Sequence, residues 1–147
     1  LLMVVFFVVS SLALPMNTAN ANVAGTALQF NGSATDKQRV TFGAAPGLGV
    51  TTFTLEAWVK RAAGGATMST GTGGIANIYP VVTKGMGEGE TPANINTNYF
   101  LGITSTGVVG ADFEDTAGGV NHPILGTTVV PIDEWHHIAV TYSFPYR

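Results

Sequence analysis

The sequence predicts an all-β protein, an antiparallel sandwich or barrel. Three observations carry this. Apolar residues recur with a period of two rather than 3.6 in one segment after another. Turn residues interrupt the pattern at short intervals. Only 10% of the 147 residues are charged, against about 25% in an average soluble domain, and 19 are glycine.

The clearest strand is Phe53 to Lys60 (FTLEAWVK). Phe53, Leu55, Ala57 and Val59 share one face, and Thr54, Glu56, Trp58 and Lys60 the other, so one side is buried and the other carries an aromatic ring. In chain order the remaining strands are expected at Thr26 to Phe30, Arg39 to Phe42, Pro80 to Lys84, Tyr99 to Thr104, Val108 to Asp115, Thr127 to Val130 and Trp135 to Tyr142. Asn31-Gly32, Pro46-Gly47, Thr106-Gly107, Gly118-Gly119 and Pro131 punctuate them. Ser105-Thr106-Gly107 lies between two strand patterns and predicts a hairpin. Ala62 to Gly74 and Gly85 to Asn98 are rich in Gly, Thr and Asn, and both are expected to be long surface loops.

The N-terminus follows other rules. Leu1 to Leu14 is an uncharged apolar run, shorter than the roughly 20 residues that span a bilayer. Pro15, a short polar stretch and the small-residue site Ala19-Asn20-Ala21 follow it. This is the pattern of a secretory leader over residues 1–21, with the mature domain at 22–147. A retained N-terminal anchor is the competing reading. The basic segment that usually opens a leader is missing, and the sequence starts with Leu1. The leader also raises the mean hydropathy to +0.30. Cleavage leaves an exported chain, secreted or at the cell surface, with no membrane span.

Charge and composition exclude other classes. A net charge of -3 and a pI near 5.4 offer no basic footprint for nucleic acid. With no cysteine there is no disulfide framework, iron–sulfur cluster or thiolate zinc site. Lys84-Gly85 lacks the spacing of a phosphate loop. Glu88 and Glu90 are expected to be solvated in their Gly-rich loop.

Three blocks carry a resemblance. The first is ALQFNG at Ala27–Gly32 with Val40-Thr-Phe42 after it. The second is FTLEAWVK at Phe53–Lys60 followed by VVTKG at Val81–Gly85. The third is NYFLGI at Asn98–Ile103, then Val130-Pro131 and WHHIAVTY at Trp135–Tyr142. In this order the chain resembles the bacterial laminin G-like domains of the concanavalin A-like lectin/glucanase superfamily. The resemblance implies a two-sheet antiparallel jelly-roll sandwich, here incomplete. Such domains usually continue past the strand ending at Tyr142 with further strands, whereas this chain reads Ser143-Phe-Pro-Tyr-Arg147. Roughly the last third of the domain is therefore expected to be missing, leaving edges open to aggregation.

Function is read from candidate sites. Trp58 and Trp135 are candidates for a sugar-stacking platform, since an indole offers an apolar face and a polar handle. Asp112 and Glu114 on one strand face, about 7 Å apart at their Cα atoms, have a separation that suits an inverting glycosidase. The related glucanases carry a Glu-x-Asp-x-Glu strand, which is absent here. The resemblance implies instead a calcium site at the sandwich rim, for which Asp112, Asp115 and Asn121 are the candidates, joined by carbonyls of Gly118 and Gly119; the alternative is a solvated acidic strand end. His136 and His137 are neighbours on a strand, so they face opposite sides and cannot chelate one ion; His122 lies in a loop. The expectation is a non-catalytic binding or adhesion module of a larger exported protein, with a glycan or an extracellular protein as partner. The alternatives are a glucanase-type glycoside hydrolase, or an accessory module of a downstream enzyme.

Overall fold

The computed structural model describes residues 3–6, 26–36, 38–85 and 97–143. Two four-stranded antiparallel sheets face each other. Sheet A contains β1 (Met3–Phe6), β2 (Leu28–Phe30), β3 (Phe53–Arg61) and β8 (Trp135–Tyr142), in the order β2-β1-β3-β8. Sheet B contains β4 (Ile78–Gly85), β5 (Thr97–Thr104), β6 (Val108–Asp112) and β7 (Ile124–Val129), in sequence order. One 3₁₀ turn at Pro46–Leu48 is the helical element among the described residues. The architecture is a β-sandwich.

Alternation along β3 builds the core. Leu55, Ala57 and Val59 are buried while Thr54, Glu56 and Trp58 are exposed. They meet Tyr99, Leu101 and Ile103 of β5, Ile138 of β8 and Val130 in one cluster. Each fully buried Leu, Ile or Val contributes about 1.5–3 kcal/mol through removal of apolar surface from water. At one end of the sandwich Phe53 packs on Tyr99 (5.1 Å) and on Tyr142 (5.5 Å), and Phe113 packs on Tyr142 (4.4 Å).

Sheet B is buried on both faces over β5. The segment expected to be a surface loop at Ala62 to Gly74 accounts for this, because it folds over the outer face of the sheet. Met68 bridges to Ile78, and Ile75 and Ile78 join Phe100 in a second small cluster. Gly102 and Gly110, cross-strand partners, make the seat. A Cβ on Gly102 would stand 2.5 Å from the Tyr79 carbonyl oxygen, and one on Gly110 would stand 2.8 Å from Ile78 Cδ1. Composition argued against strand in this loop, and correctly. It did not reveal that one Ile and one Thr suffice to anchor a cover over two glycines.

Other boundaries also moved. The strand expected at Arg39 to Phe42 is irregular, with Phe42 70% exposed. Its alternation is too short to bury a face. The strand expected at Val108 to Asp115 ends at Asp112, and Glu114 makes only an isolated bridge to Asn121. The expected hairpin forms, closed by the Gly107 N–H donating to the Thr104 carbonyl (2.9 Å) with Gly107 at φ 94°. Pro80 is accommodated because β4 is an edge strand, and the register shifts between Pro80 and Val82. Met3–Phe6, inside the apolar N-terminal run, pairs with both β2 and β3. Ala19-Asn20-Ala21, Glu88, Glu90 and the tail after Ser143 lie outside the described residues.

Candidate functional site

Two places bring candidate residues together. The first is the outer face of sheet A. Pairing of β3 with β8 sets Trp58 opposite His137 and Lys60 opposite Trp135. The two tryptophans are therefore diagonal neighbours on one face, with Cα atoms roughly 7–8 Å apart. Each is 45% exposed. Trp58 packs against His137 (centroids 5.5 Å), and His137 Nε2 lies 3.3 Å from Glu56 Oε2. The result is two half-open indole faces flanked by Glu56, His137 and Lys60. The same register places His136 beside Val59, on the opposite side from His137.

The second is a polar cluster where the 66–77 loop crosses the end of β6. Asp112 lies on the outer face of sheet B, opposite Phe100, and is buried beneath the loop. The Thr70 hydroxyl donates to Asp112 Oδ2 (2.5 Å) and accepts from the Ile75 N–H (2.7 Å). The Phe113 N–H donates to Asp112 Oδ1 (2.8 Å). Burial pushes the Asp112 carboxyl above its ordinary value, although the Thr70 and Phe113 hydrogen bonds pull the other way. Glu114 is buried too. It accepts the Thr97 N–H at Oε2 (2.7 Å), while its own N–H donates to the Thr97 carbonyl (2.8 Å). Asn121 is 7% exposed, and its amide nitrogen donates to the Thr72 carbonyl (3.1 Å). Asn121 Oδ1 is buried with no hydrogen-bond partner. Gly74 closes this cradle, because a Cβ there would press on Thr70 Oγ1, stand 2.7 Å from Asp112 Oδ2 and 3.1 Å from Asn121 Oδ1.

The solvated acidic strand end expected from the sequence is thus a buried cluster for Asp112 and Glu114. Asp115 is separate from it. Its Oδ1 accepts the Gly118 N–H (2.7 Å) and the Ala117 N–H (3.1 Å), and its Oδ2 meets His122 Nε2 (2.9 Å). The His122 hydrogen bond, then that of Gly118, holds its carboxyl below the ordinary value. Asp112 and Asn121 are brought together, while the Asp115 carboxylate is committed to its own turn. Thr70 and Gly74 were missed. Nothing in a Gly/Thr-rich stretch distinguishes the one Thr that caps a buried carboxylate. Carboxylate neighbours of the histidines were missed as well: Asp115 for His122, Glu134 for His136 (3.6 Å) and Glu56 for His137. The His122 and His137 pairs depend on loop closure and strand register, whereas Glu134 and His136 are simply i, i+2 neighbours on one side of the chain.

Among the described residues no group of three or more His, Cys, Asp or Glu side chains is placed to hold a metal. No helix there is long and apolar enough to cross a membrane. In comparisons with known proteins, no family, no curated protein and no solved structure matches this chain.

Proposed function

We propose that this protein is a non-catalytic binding module of an exported chain, and that it takes a carbohydrate on the outer face of sheet A. The observation that carries the reading is the pairing of Trp58 and Trp135 as half-exposed diagonal neighbours on a flat strand surface. A sugar ring has an apolar CH face that stacks on indole, and polar groups at the rim fix its hydroxyls. Glu56, His137 and Lys60 supply that rim. The hydrolase alternative calls for two carboxyls facing an open cleft. Asp112 and Glu114 are instead buried and bonded to Thr70 and Thr97. The motif resemblance to laminin G-like domains supports the same reading.

Trp58 and Trp135 are the chain's two tryptophans, so tryptophan emission, excited at a wavelength where tyrosine does not absorb, reports on this face alone. Titration with cello-, xylo-, laminari- and chito-pentaose is expected to shift the emission with at least one of them. Trp58→Ala or Trp135→Ala is expected to weaken binding about five- to tenfold, the equivalent of roughly 1–1.4 kcal/mol. Unchanged emission across the panel refutes the reading, as does full binding by the Trp58→Ala/Trp135→Ala double variant, measured by titration calorimetry because that variant has no tryptophan.

A second observation favours a structural cation. Asn121 Oδ1 is buried without a partner, and it converges with Asp112 Oδ2 on the space above Gly74. These oxygens, with Thr70 Oγ1, are the hard donors that calcium takes, and water would complete the shell. The cation would neutralise the buried Asp112 carboxylate and tie the 66–77 loop to β6. Asp115, bound to its own turn, is not among the donors.

A further inference from the structure

We propose that the β1 position in sheet A is an exchangeable strand slot. Met3–Phe6 fill it while the leader is attached; after the leader is removed, it takes a Val-rich, uncharged extended strand from another polypeptide. This rests on reading residues 1–21 as a leader. The strand order β2-β1-β3-β8 attaches β2 to its sheet through β1 alone. β1 runs antiparallel to both neighbours, so β2 and β3 run in the same direction. Without β1 they stand two strand spacings apart, about 9–10 Å. Closing that gap would take a shift of one full spacing and a parallel ladder along the three residues of β2. A new strand entering in the β1 direction instead restores both ladders at once.

The flanking residues specify the strand. Val5 pairs with Val59, which is fully buried, and with Leu28. Met3 pairs with Phe30, which packs against the core cluster. A charge at the register position beside Val59 would be desolvated without a partner. β-Branched residues suit a pleated, half-buried surface. Four residues are enough, since the β3 ladder runs from Met3↔Arg61 to Phe6↔Trp58. The interaction is strand addition within a sheet rather than at its rim.

The chain has no cysteine, so engineered pairs report cleanly. Val4 pairs with both Gln29 and Lys60. In the full chain, Val4→Cys with Lys60→Cys is expected to cross-link under mild oxidation. The secreted protein carrying Lys60→Cys, or independently Gln29→Cys, is then offered a peptide of residues 1–9 with Val4→Cys and a lysine tail. Cross-linking is expected at both sites, and at least tenfold less with a Val5→Pro peptide, since proline cannot serve an inner strand. The N-terminal mass of the secreted protein separates the two ideas. Residues 3–6 still attached would refute the leader reading, and the exchange with it. A cleaved protein that ignores the peptide, or takes the Val5→Pro peptide equally, refutes the slot and leaves the leader reading intact.

Discussion

Gly102→Ala tests how closely β4 and β5 pack on the outer face of sheet B. The new Cβ would stand 2.5 Å from the Tyr79 carbonyl oxygen, 2.7 Å from Phe100 Cε1 and 2.9 Å from Ile78 Cγ1. Two effects compete. Alanine in a strand recovers about 0.5–1 kcal/mol of backbone entropy relative to glycine. Overpacking a close-packed site costs about 1–3 kcal/mol. The nearest atom belongs to the β4 backbone, which cannot swing aside as a side-chain tip can. The clash is therefore expected to dominate, with a net loss of about 1–2 kcal/mol by denaturant titration and a melting point lower by roughly 5–10 °C. Gly110→Ala meets only the movable ends of Ile78, Ile75 and Leu125, so it should lose less. Gly126→Ala on β7 has the Val109 carbonyl oxygen at 3.4 Å as its nearest neighbour and should be neutral or slightly stabilised. The order Gly102, Gly110, Gly126 is the result to look for. Gly102→Ala melting at or above the parent, or Gly126→Ala falling as far, would refute the packing argument.

Calcium in hundredfold excess over its dissociation constant is expected to stabilise the protein by about 2.7 kcal/mol. Gly74→Ala, which fills the cradle, should abolish that shift, whereas retention of the shift in Gly74→Ala would remove the cradle as the site. Arg61→Leu strips the Val130 carbonyl of its Nε donor (2.5 Å) and should cost about 1–3 kcal/mol, read by denaturant titration. Asp115 has a folded-state pKa below its ordinary value near 3.8. Its contribution is therefore present above that value and lost as pH falls through the depressed one. Asp115→Asn should flatten the acid limb of a stability–pH curve, and an unchanged limb would assign the loss to other carboxyls. Leu101→Ala, at the centre of the core, should cost about 2–5 kcal/mol, with a cost under 1 kcal/mol contradicting its burial.

The β class and most of the strands are legible in the pattern of residues along the chain. A period of two is a local property, and a strand half-buried against a core must show it. β3 runs from Phe53 and β8 spans Trp135–Tyr142 as the alternation predicts. The Ser105–Gly107 turn was legible for the same reason, since turn chemistry is local. The placement of Trp58 on the outer face followed from parity alone. That it stands diagonal to Trp135 depended on the register of two strands that lie far apart in sequence.

The remaining features arise where segments distant in the chain meet. Asp112 and Glu114 read as an acidic strand end, yet both are buried, Asp112 beneath a loop from elsewhere in the chain that donates the Thr70 hydroxyl, and Glu114 against the Thr97 backbone. Asp115, one residue on, is turned away by its own Asx turn and His122. β1 lies in the apolar N-terminal run, and its place in sheet A is set by β2 and β3, which stand on either side of it. Periodicity records which face of an element is apolar. It carries no record of what covers that face, because the cover comes from residues distant in the chain and burial depends on their meeting in space.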